Sequence, residues 1–289
     1  MDLSVVVASF NSVEPLEELL TSLTSELERV SASSEVIVVD NGSTDGTSSM
    51  VSAKFPKVKL ITNPVNEYFV GGVNRGYAES SGAFALVTGA DVQVVQGSIS
   101  RLLSFMNSSS KAAAASCRIV TPSNGRLQLT GGAFLTLTSD LFEWTRLGLL
   151  FPSIKRQLCS LRYMEGWDRS DTREVDVIVA DFMIFRRAAV EAVGGFFDNR
   201  FSMYFAEDEL CWRLKKWGWK IYHLGDIFVY HRGRFAFDKM DQGFLSELSL
   251  KDRLVYHRLV LGFVSSLLFR IALRIDGLLT RALGIRRTQ

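Results

Sequence analysis

The chain has 289 residues, 47% hydrophobic and 22% charged, which is enough apolar material for a full core and excludes a disordered segment. A formal net charge of +2 argues against a general nucleic-acid binder. Cys117, Cys159 and Cys211 are odd in number and widely spaced, which excludes a disulfide framework or a zinc signature and fits a reducing compartment.

No Pro/Gly/Ser-rich linker and no repeat divides the sequence, so one large domain with an appendage is expected. The N-terminus enters a strand pattern at once, LSVVVASF, without the basic and apolar regions of a secretory leader, so export is not expected. Leu3 to Ala8 and Glu35 to Asp40 are β-branched runs, and between them Leu16, Leu19, Leu20, Leu23 and Leu27 share one helical face. Strands are predicted again at Val58 to Thr62 and Ala83 to Thr88, with a helix around Gly72 to Ser80. This alternation predicts an α/β fold with a parallel sheet flanked by helices. After about Ser110 the alternation stops. RLQLTGGAFLTLT reads as a hairpin, and Leu141 to Thr172, without a clear period, reads as loops with the character of a lid. A strand is predicted over Val175 to Phe185, then a short helix from Arg187 to Gly194-Gly195, a helix over Asp208 to Trp217, and strands near Lys220 to His223 and Ile227 to His231.

Ligands of open parallel sheets sit beyond the carboxyl ends of the strands, and here those ends are polar: ASFN, VVDNGSTDGT and LVTGADV. Asp40 suits two donors of a nucleobase or ribose, although Asp40 to Asp45 also reads as a turn with a helix cap. Asp91 suits a hard divalent ion bridging two phosphates, although a lone Asp after a strand is commonly a turn residue. NEYFVGGVNRG, Asn66 to Gly76, suits close approach to a ligand but lacks the P-loop and dinucleotide patterns. Glu207, Asp208 and Glu209 open a helix, where the macrodipole favours acids. The aromatics of FFDNRFSMYF would desolvate a carboxylate and raise its pKa, which suits a general base. At 100° per residue the three acids cannot face one site, so one acts and the others cap or hold the loop. His223 and His231 end two late strands, and Arg232 and Arg234 beside His231 suit phosphate.

Taken in order, SVVVASFN, VIVVDNGSTDGT, NEYFVGGVNRG, VTGADV, FMIFRRAAVEAVGGFFDNRFSMYFAEDELCWRLKKWGWK and VYHRG resemble glycosyltransferase family 2, nearest its rhamnosyltransferase-like branch, over about residues 3 to 235. The resemblance implies a GT-A fold with a mixed sheet, a nucleotide-sugar donor, a divalent cation (Mn2+ or Mg2+) and inversion at the anomeric carbon. It implies that Asp40 contacts the base, and that Ser9, Asn11, Asn66, Gly72, Asn74, Arg75 and Ala90 line the donor pocket. It also implies that Asp91 and His231 hold the metal and that Asp208 is the base, with Glu207 as runner-up. Asp181, Glu209 and Trp212 fall on the acceptor side. Two positions depart from the family pattern. The metal motif, often Asp-X-Asp or Asn-Pro-Asp, reads Thr88-Gly89-Ala90-Asp91, and the usual Gly-Ala before FRR reads Ala180-Asp181.

The expected boundaries are residues 1–240 for the catalytic domain and 241–289 for a basic amphipathic helical tail. From Lys251 onward eight basic residues face two acids. No apolar run there is long enough to span a bilayer. In projection Arg270, Arg274 and Arg281 cluster within about 40°, beside Leu267, Leu268, Ile271, Ile275, Leu278 and Leu279. This pattern suits an anionic membrane surface, with packing on the domain or a homo-oligomer as the alternative. The expected protein is cytoplasmic, peripheral on the inner membrane face, and transfers a sugar from dTDP-rhamnose or a UDP-sugar to a saccharide or lipid-linked saccharide acceptor. The competing reading is a non-catalytic nucleotide-sugar-binding or polysaccharide-assembly module. A nucleotidyltransferase ranks last because VVVASFNSVEPLEE offers no cation for a triphosphate.

Overall fold

The first half folds as its periodicity dictates. In the computed structural model, which describes residues 1–178, 181–233 and 240–282, the elements β1 (Leu3–Ser9), α1 (Val13–Leu27), β2 (Ser34–Asp40), α2 (Thr47–Lys54), β3 (Lys59–Thr62), α3 (Tyr68–Ala78) and β4 (Phe84–Gly89) follow one another. β1 pairs in parallel with β2 and β4, and β3 lies parallel beside β2. Alternate side chains of β1 feed two cores. Val5 and Val7 pack with Leu16, Leu19, Leu20 and Leu23 of α1, while Val6 packs on the other face with Val73 of α3 and Val87.

The second half continues the same sheet with mixed polarity. It comprises β5 (Val92–Gln93), α4 (Ser98–Ser108), β6 (Ala112–Val120), α5 (Leu137–Trp144), α6 (Leu147–Leu150), α7 (Pro152–Tyr163), β7 (Arg173–Val175), β8 (Phe182–Arg186), α8 (Arg187–Ala192), α9 (Ala206–Lys216) and β9 (Lys220–His231). The strand order is β3-β2-β1-β4-β8-β6-β9-β5, with β7 also on β9. β8 runs antiparallel between β4 and β6, and β6 and β9 are parallel. β5 is antiparallel to the end of β9 with Val92 opposite His231, which sets Asp91 beside His231.

Several expectations are corrected here. Residues 126–138 form no hairpin of their own: Leu127 turns back to bridge Val120 at the end of β6 and Gly132 bridges Val177, so the segment pairs with its neighbours in the fold instead of with itself. Residues 141–172 are largely helical. Their period is unreadable because α7 buries none of its residues and leaves Ile154 and Leu161 exposed, so no apolar stripe faces the core. The strand predicted over 175–185 is two strands, β7 and β8, and the two predicted late strands are one, β9, whose register to β6 shifts near Cys117. The helix predicted from Gly72 starts at Tyr68, so most of the glycine-containing stretch is helix. A Cβ on Gly72 would lie 2.8 Å from Asn41 Nδ2 and 2.9 Å from Ala8 Cβ, so this glycine lets α3 approach β1.

The C-terminal segment is α10 (Gln242–Tyr256), a π-helical turn (His257–Leu261) and α11 (Gly262–Ala282). α10 is part of the body: Asp252, Tyr256 and His257 are fully buried. Asp140 of α5 accepts from His257 Nε2 at 2.6 Å and from Arg253, tying α5 to α10. Gly262, at φ +87°, redirects the chain into α11. α11 buries Ser265, Ser266, Phe269 and Asp276 and exposes Arg270, Arg274 and Arg281, with Leu267, Leu268, Ile271, Ile275, Leu278 and Leu279 also exposed. Among the described residues no helix is long and apolar enough to cross a membrane. Arg286 and Arg287, counted in the basic tail, lie outside the described residues.

Candidate active site

A cleft of about 730 Å³ opens at the carboxyl ends of β1, β2 and β4. One wall comes from the β1 end (Ala8, Ser9, Phe10, Ser12), from Asn41, and from Asn66, Tyr68 and Phe69 at the start of α3. Its floor holds Gly89, Ala90, Asp91, Asp181 and His231. The opposite wall comes from residues 126–129 and from Met203, Tyr204 and Glu207 at the entry to α9.

At the floor, His231 Nε2 lies 3.2 Å from Asp91 Oδ1, and His231 Nδ1 lies 2.9 Å from Gln128 Oε1 and 3.7 Å from Asp181 Oδ2. Burial lowers the His231 pKa, but the Asp91 hydrogen bond and the Asp181 and Asp91 charges outweigh it and leave it raised. Burial raises the Asp181 carboxyl, with His231 opposing and Asp91 reinforcing. Among the described residues no group of three or more His, Cys, Asp or Glu is arranged to hold a metal ion. Asp91 and His231 fit as two protein donors of a divalent cation, a set that needs diphosphate oxygens and water to complete it.

The three acids of α9 part company, as 100° per residue requires. Glu207 faces the cleft, and its Oε2 is buried without a hydrogen-bond partner. Its carboxyl is pushed up to about 8, first by burial and then by the Asp208 and Asp181 charges, against the pull of Arg162. Asp208 turns inward and takes Arg162 Nη2 of α7 at 2.6 Å. Glu209 accepts from Arg213 Nε at 2.8 Å, one turn along, and Arg213 also donates to the carbonyls of Val193, Gly195 and Phe196.

Of the residues expected around the donor, Ser9, Asn66 and Ala90 line the cleft, and Ser9 Oγ is buried without a partner. Asn11, Asp40, Gly72, Asn74 and Arg75 are not in its wall. The Asp40 carboxylate accepts from Ser43 N at 3.1 Å and from Ser48 Oγ, while its neighbour Asn41 reaches the cleft. Asn11, at φ +47°, accepts from Thr44 N and donates its own N–H to Ser43 Oγ, which joins the two loops. Asn74 pairs with Phe197 and Asn199, and Arg75 is on the exposed face of α3. Trp212 carries Lys216 over its ring at 4.3 Å and is not part of the cleft wall. His223 is buried against Arg169 O and is pushed down to about 4, chiefly by burial. Arg232 lines the cleft, whereas Ala180 and Arg234 lie outside the described residues. Sequence reasoning missed Asn41, Gln128, Arg162 and Tyr204. Tyr204 lies in the aromatic run FFDNRFSMYF, but nothing in RLQLT or in the unpatterned 141–172 stretch marks Gln128 or Arg162.

Residues 4–194 match the family model described as Glycosyl transferase family 2. The chain is 29% identical over 243 residues, 79% of this chain and 75% of the relative, to an N-acetylglucosaminyl-diphospho-decaprenol L-rhamnosyltransferase of Mycobacterium tuberculosis (strain ATCC 25618 / H37Rv). Over a shorter stretch, 39% of this chain and 32% of the relative, it is 32% identical to a dolichol-phosphate mannosyltransferase of Pyrococcus furiosus. Among solved structures it resembles S. aureus TarS 1–349, with TM-score 0.53, 16% identity, and coverage of 90% of this chain and 73% of that one. It likewise resembles the mannosyltransferase PcManGT from Pyrobaculum calidifontis, solved with GDP-Man and Mn2+, with TM-score 0.53, 16% identity, and coverage of 99% and 76%. The fold is that of these GT-A enzymes.

Proposed function

Because this chain belongs to glycosyltransferase family 2, we propose that its cleft carries out inverting sugar transfer from a nucleotide-sugar to a lipid-linked saccharide, with Glu207 as the general base. The observation that carries this is Glu207 itself: an unpartnered carboxylate oxygen at the cleft wall, with its pKa pushed up to about 8. A base poised near neutral pH is what deprotonating an acceptor hydroxyl requires. Asp208, the base implied by resemblance, already holds Arg162, so its role is to fix the first turn of α9.

In this reading the acceptor hydroxyl donates to Glu207. As its proton passes to that carboxylate, its oxygen attacks the anomeric carbon from the face opposite the nucleoside diphosphate. Asp91 and His231 would hold Mn2+ or Mg2+, which when bound supplies positive charge to the departing diphosphate. Ser9, Asn41 and Asn66 line the wall on the nucleotide side. The likeness to the M. tuberculosis L-rhamnosyltransferase, which its name places on N-acetylglucosaminyl-diphospho-decaprenol, supports a rhamnosyl donor and a diphosphate-linked polyprenyl saccharide acceptor; the donor proposed is dTDP-rhamnose, with a UDP-sugar as the alternative, and the setting proposed is cell-surface polysaccharide synthesis. A lipid-linked acceptor calls for a peripheral location at the inner membrane face, with the exposed apolar and arginine rows of α11 toward the headgroups.

The reading is tested by titrating the protein with UDP, dTDP and GDP, with and without Mn2+, and by turnover of the parent and Glu207→Gln. Cation-dependent binding of one nucleotide, with turnover lost and binding kept in Glu207→Gln, is expected. The non-catalytic reading, favoured by the single acid of TGAD, takes over if the parent binds nucleotide but turns over no donor.

A further inference from the structure

We infer that α6 and α7 form a second membrane-seating element, which lays the Glu207 side of the cleft against the headgroups of an anionic bilayer. The inference rests on the reading of α11 as a membrane face and adds to it a second contact and a direction for the acceptor. Leu149 and Leu150 are 72% and 69% exposed, and Phe151, Ile154 and Leu161 also face outward. Their support is firm. A Cβ on Gly148 would collide with Phe142 O, so α6 presses its backbone on α5, and α5 is tied to α10 through Asp140. Apolar side chains held outward on a fixed support mark an interaction surface.

Charge selects the occupant. From Trp144 to Met164 the sequence holds the cations Arg146, Lys155, Arg156 and Arg162 and no acid. Arg162 is taken by Asp208, and the other three flank the apolar residues along the chain. Leucine and phenylalanine set among lysine and arginine suit an anionic lipid interface, whereas an apolar protein groove would match the leucines and leave the cations unanswered. Two contacts then fix where this element lies. At one end Arg146 N donates to Asp276 of α11 at 2.8 Å, and Ile275, Leu278 and Leu279 around Asp276 are exposed, so the apolar residues of α6 adjoin those of α11. At the other end Ala133 N donates to Arg162 O at 2.9 Å and Arg162 Nη2 reaches Asp208 at 2.6 Å. The pair of helices therefore runs from α11 to the first turn of α9. A bilayer seated along it brings a lipid-linked acceptor to the side of the cleft where Glu207 would take its proton.

Site-directed fluorescence tests this. Cys117 and Cys211 are buried, so in the full-length protein only Cys159 needs replacing. In a Cys159→Ser background, Leu149→Cys, Leu161→Cys, Ile271→Cys and Ser104→Cys are each labelled with an environment-sensitive fluorophore. Ser104 is exposed on α4, which packs on the opposite face of the sheet from α9 and serves as the control. On phosphatidylglycerol vesicles carrying a lipid-bound quencher, the probes at positions 149, 161 and 271 should shift to the blue and be quenched, and the probe at 104 should not change. Leu150→Glu with Ile154→Glu alters only exposed positions and should lower vesicle affinity at least about tenfold at an unchanged melting temperature. Quenching at 271 without quenching at 149 and 161 overturns the inference and leaves α11 as the membrane face. Quenching at 149 but not at 161 overturns the run toward the cleft wall. No quenching at any position overturns the membrane reading of α11 together with this one. Probes at 149 and 161 that are already blue-shifted without vesicles, and revert on dilution, assign the face to a second copy and overturn it as well. If the double glutamate variant does not fold, the probes decide alone.

Discussion

Glu207 and Asp208 are neighbours in sequence with opposite environments, and the difference is measurable. If Glu207 is the base it must be ionised, so kcat/KM should rise with pH and level off above about 8. Glu207→Gln should remove that limb and lower kcat about 10²- to 10⁴-fold. The same shift makes a stability prediction. Below the ordinary glutamate value of 4.5 the carboxyl is protonated in both folded and unfolded chains and contributes no difference. Between there and about 8 the unfolded chain ionises while the folded one resists, so the penalty to the fold grows with pH and is full above about 8. Glu207→Gln should therefore melt above the parent at pH 8.5 and with it near pH 4, as calorimetry would show. Asp208→Asn should behave differently. It strips the half-buried Arg162 of its buried counter-charge, at a cost of about 3 kcal/mol, so its loss of activity should follow its loss of folded protein.

At the scale of elements, the entry to α9 is held from outside the sheet. Asp252 of α10 accepts from the backbone N–H groups of Ser202, Met203 and Tyr204 at 2.8 to 3.1 Å, and Lys251 Nζ donates to Ser202 Oγ at 2.8 Å. These residues carry the chain into the cleft wall two residues before α9 begins. Asp252→Ala removes the carboxylate that accepts from three buried or half-buried amides, and we expect about 3 kcal/mol of destabilisation in a denaturant titration. α7 grips the other side through Arg162, so two helical elements outside the sheet set the position of Glu207. Much of this scaffold was not legible in the sequence. α7 has no buried stripe, and α10 reads as part of a basic appendage because its inward-facing Asp252 and Arg253 look like surface charges.

At the scale of the molecule, the exposed apolar residues concentrate on α6, α7 and α11. On α11 the row from Leu267 to Leu279 lies beside Arg270, Arg274 and Arg281, and its one acid, Asp276, is turned inward to accept from Arg146 N at 2.8 Å. A surface with arginines and no exposed carboxylate suits anionic headgroups. Removing the whole tail would test this badly, because α10 is needed for the fold. Instead, Ile271→Glu with Leu278→Glu alters only exposed positions and should leave the melting temperature unchanged. The parent should float with anionic vesicles and the double variant should not. Equal flotation of the two would sink the membrane reading, and a parental dimer lost in the variant would assign the face to a second copy.

Periodicity and turn chemistry alone determined the β1 to β4 half, because each strand there is a continuous β-branched run and α1 carries a clear apolar face. They also determined that polar residues close those strands, and hence where a ligand site would form. The tertiary structure decided what each of those residues faces. Asp40 and Asn41 differ by one position, yet one is locked in a turn and the other reaches the cleft, because successive side chains alternate at a strand end. Helical rotation likewise sends Glu207 to the cleft, Asp208 to Arg162 and Glu209 to Arg213. Asp91 and His231 meet only because β5 pairs with the end of β9, and Gln128 reaches His231 through a loop with no local signal. Contacts between residues far apart in the chain leave no period in it, so only the folded sheet reveals them.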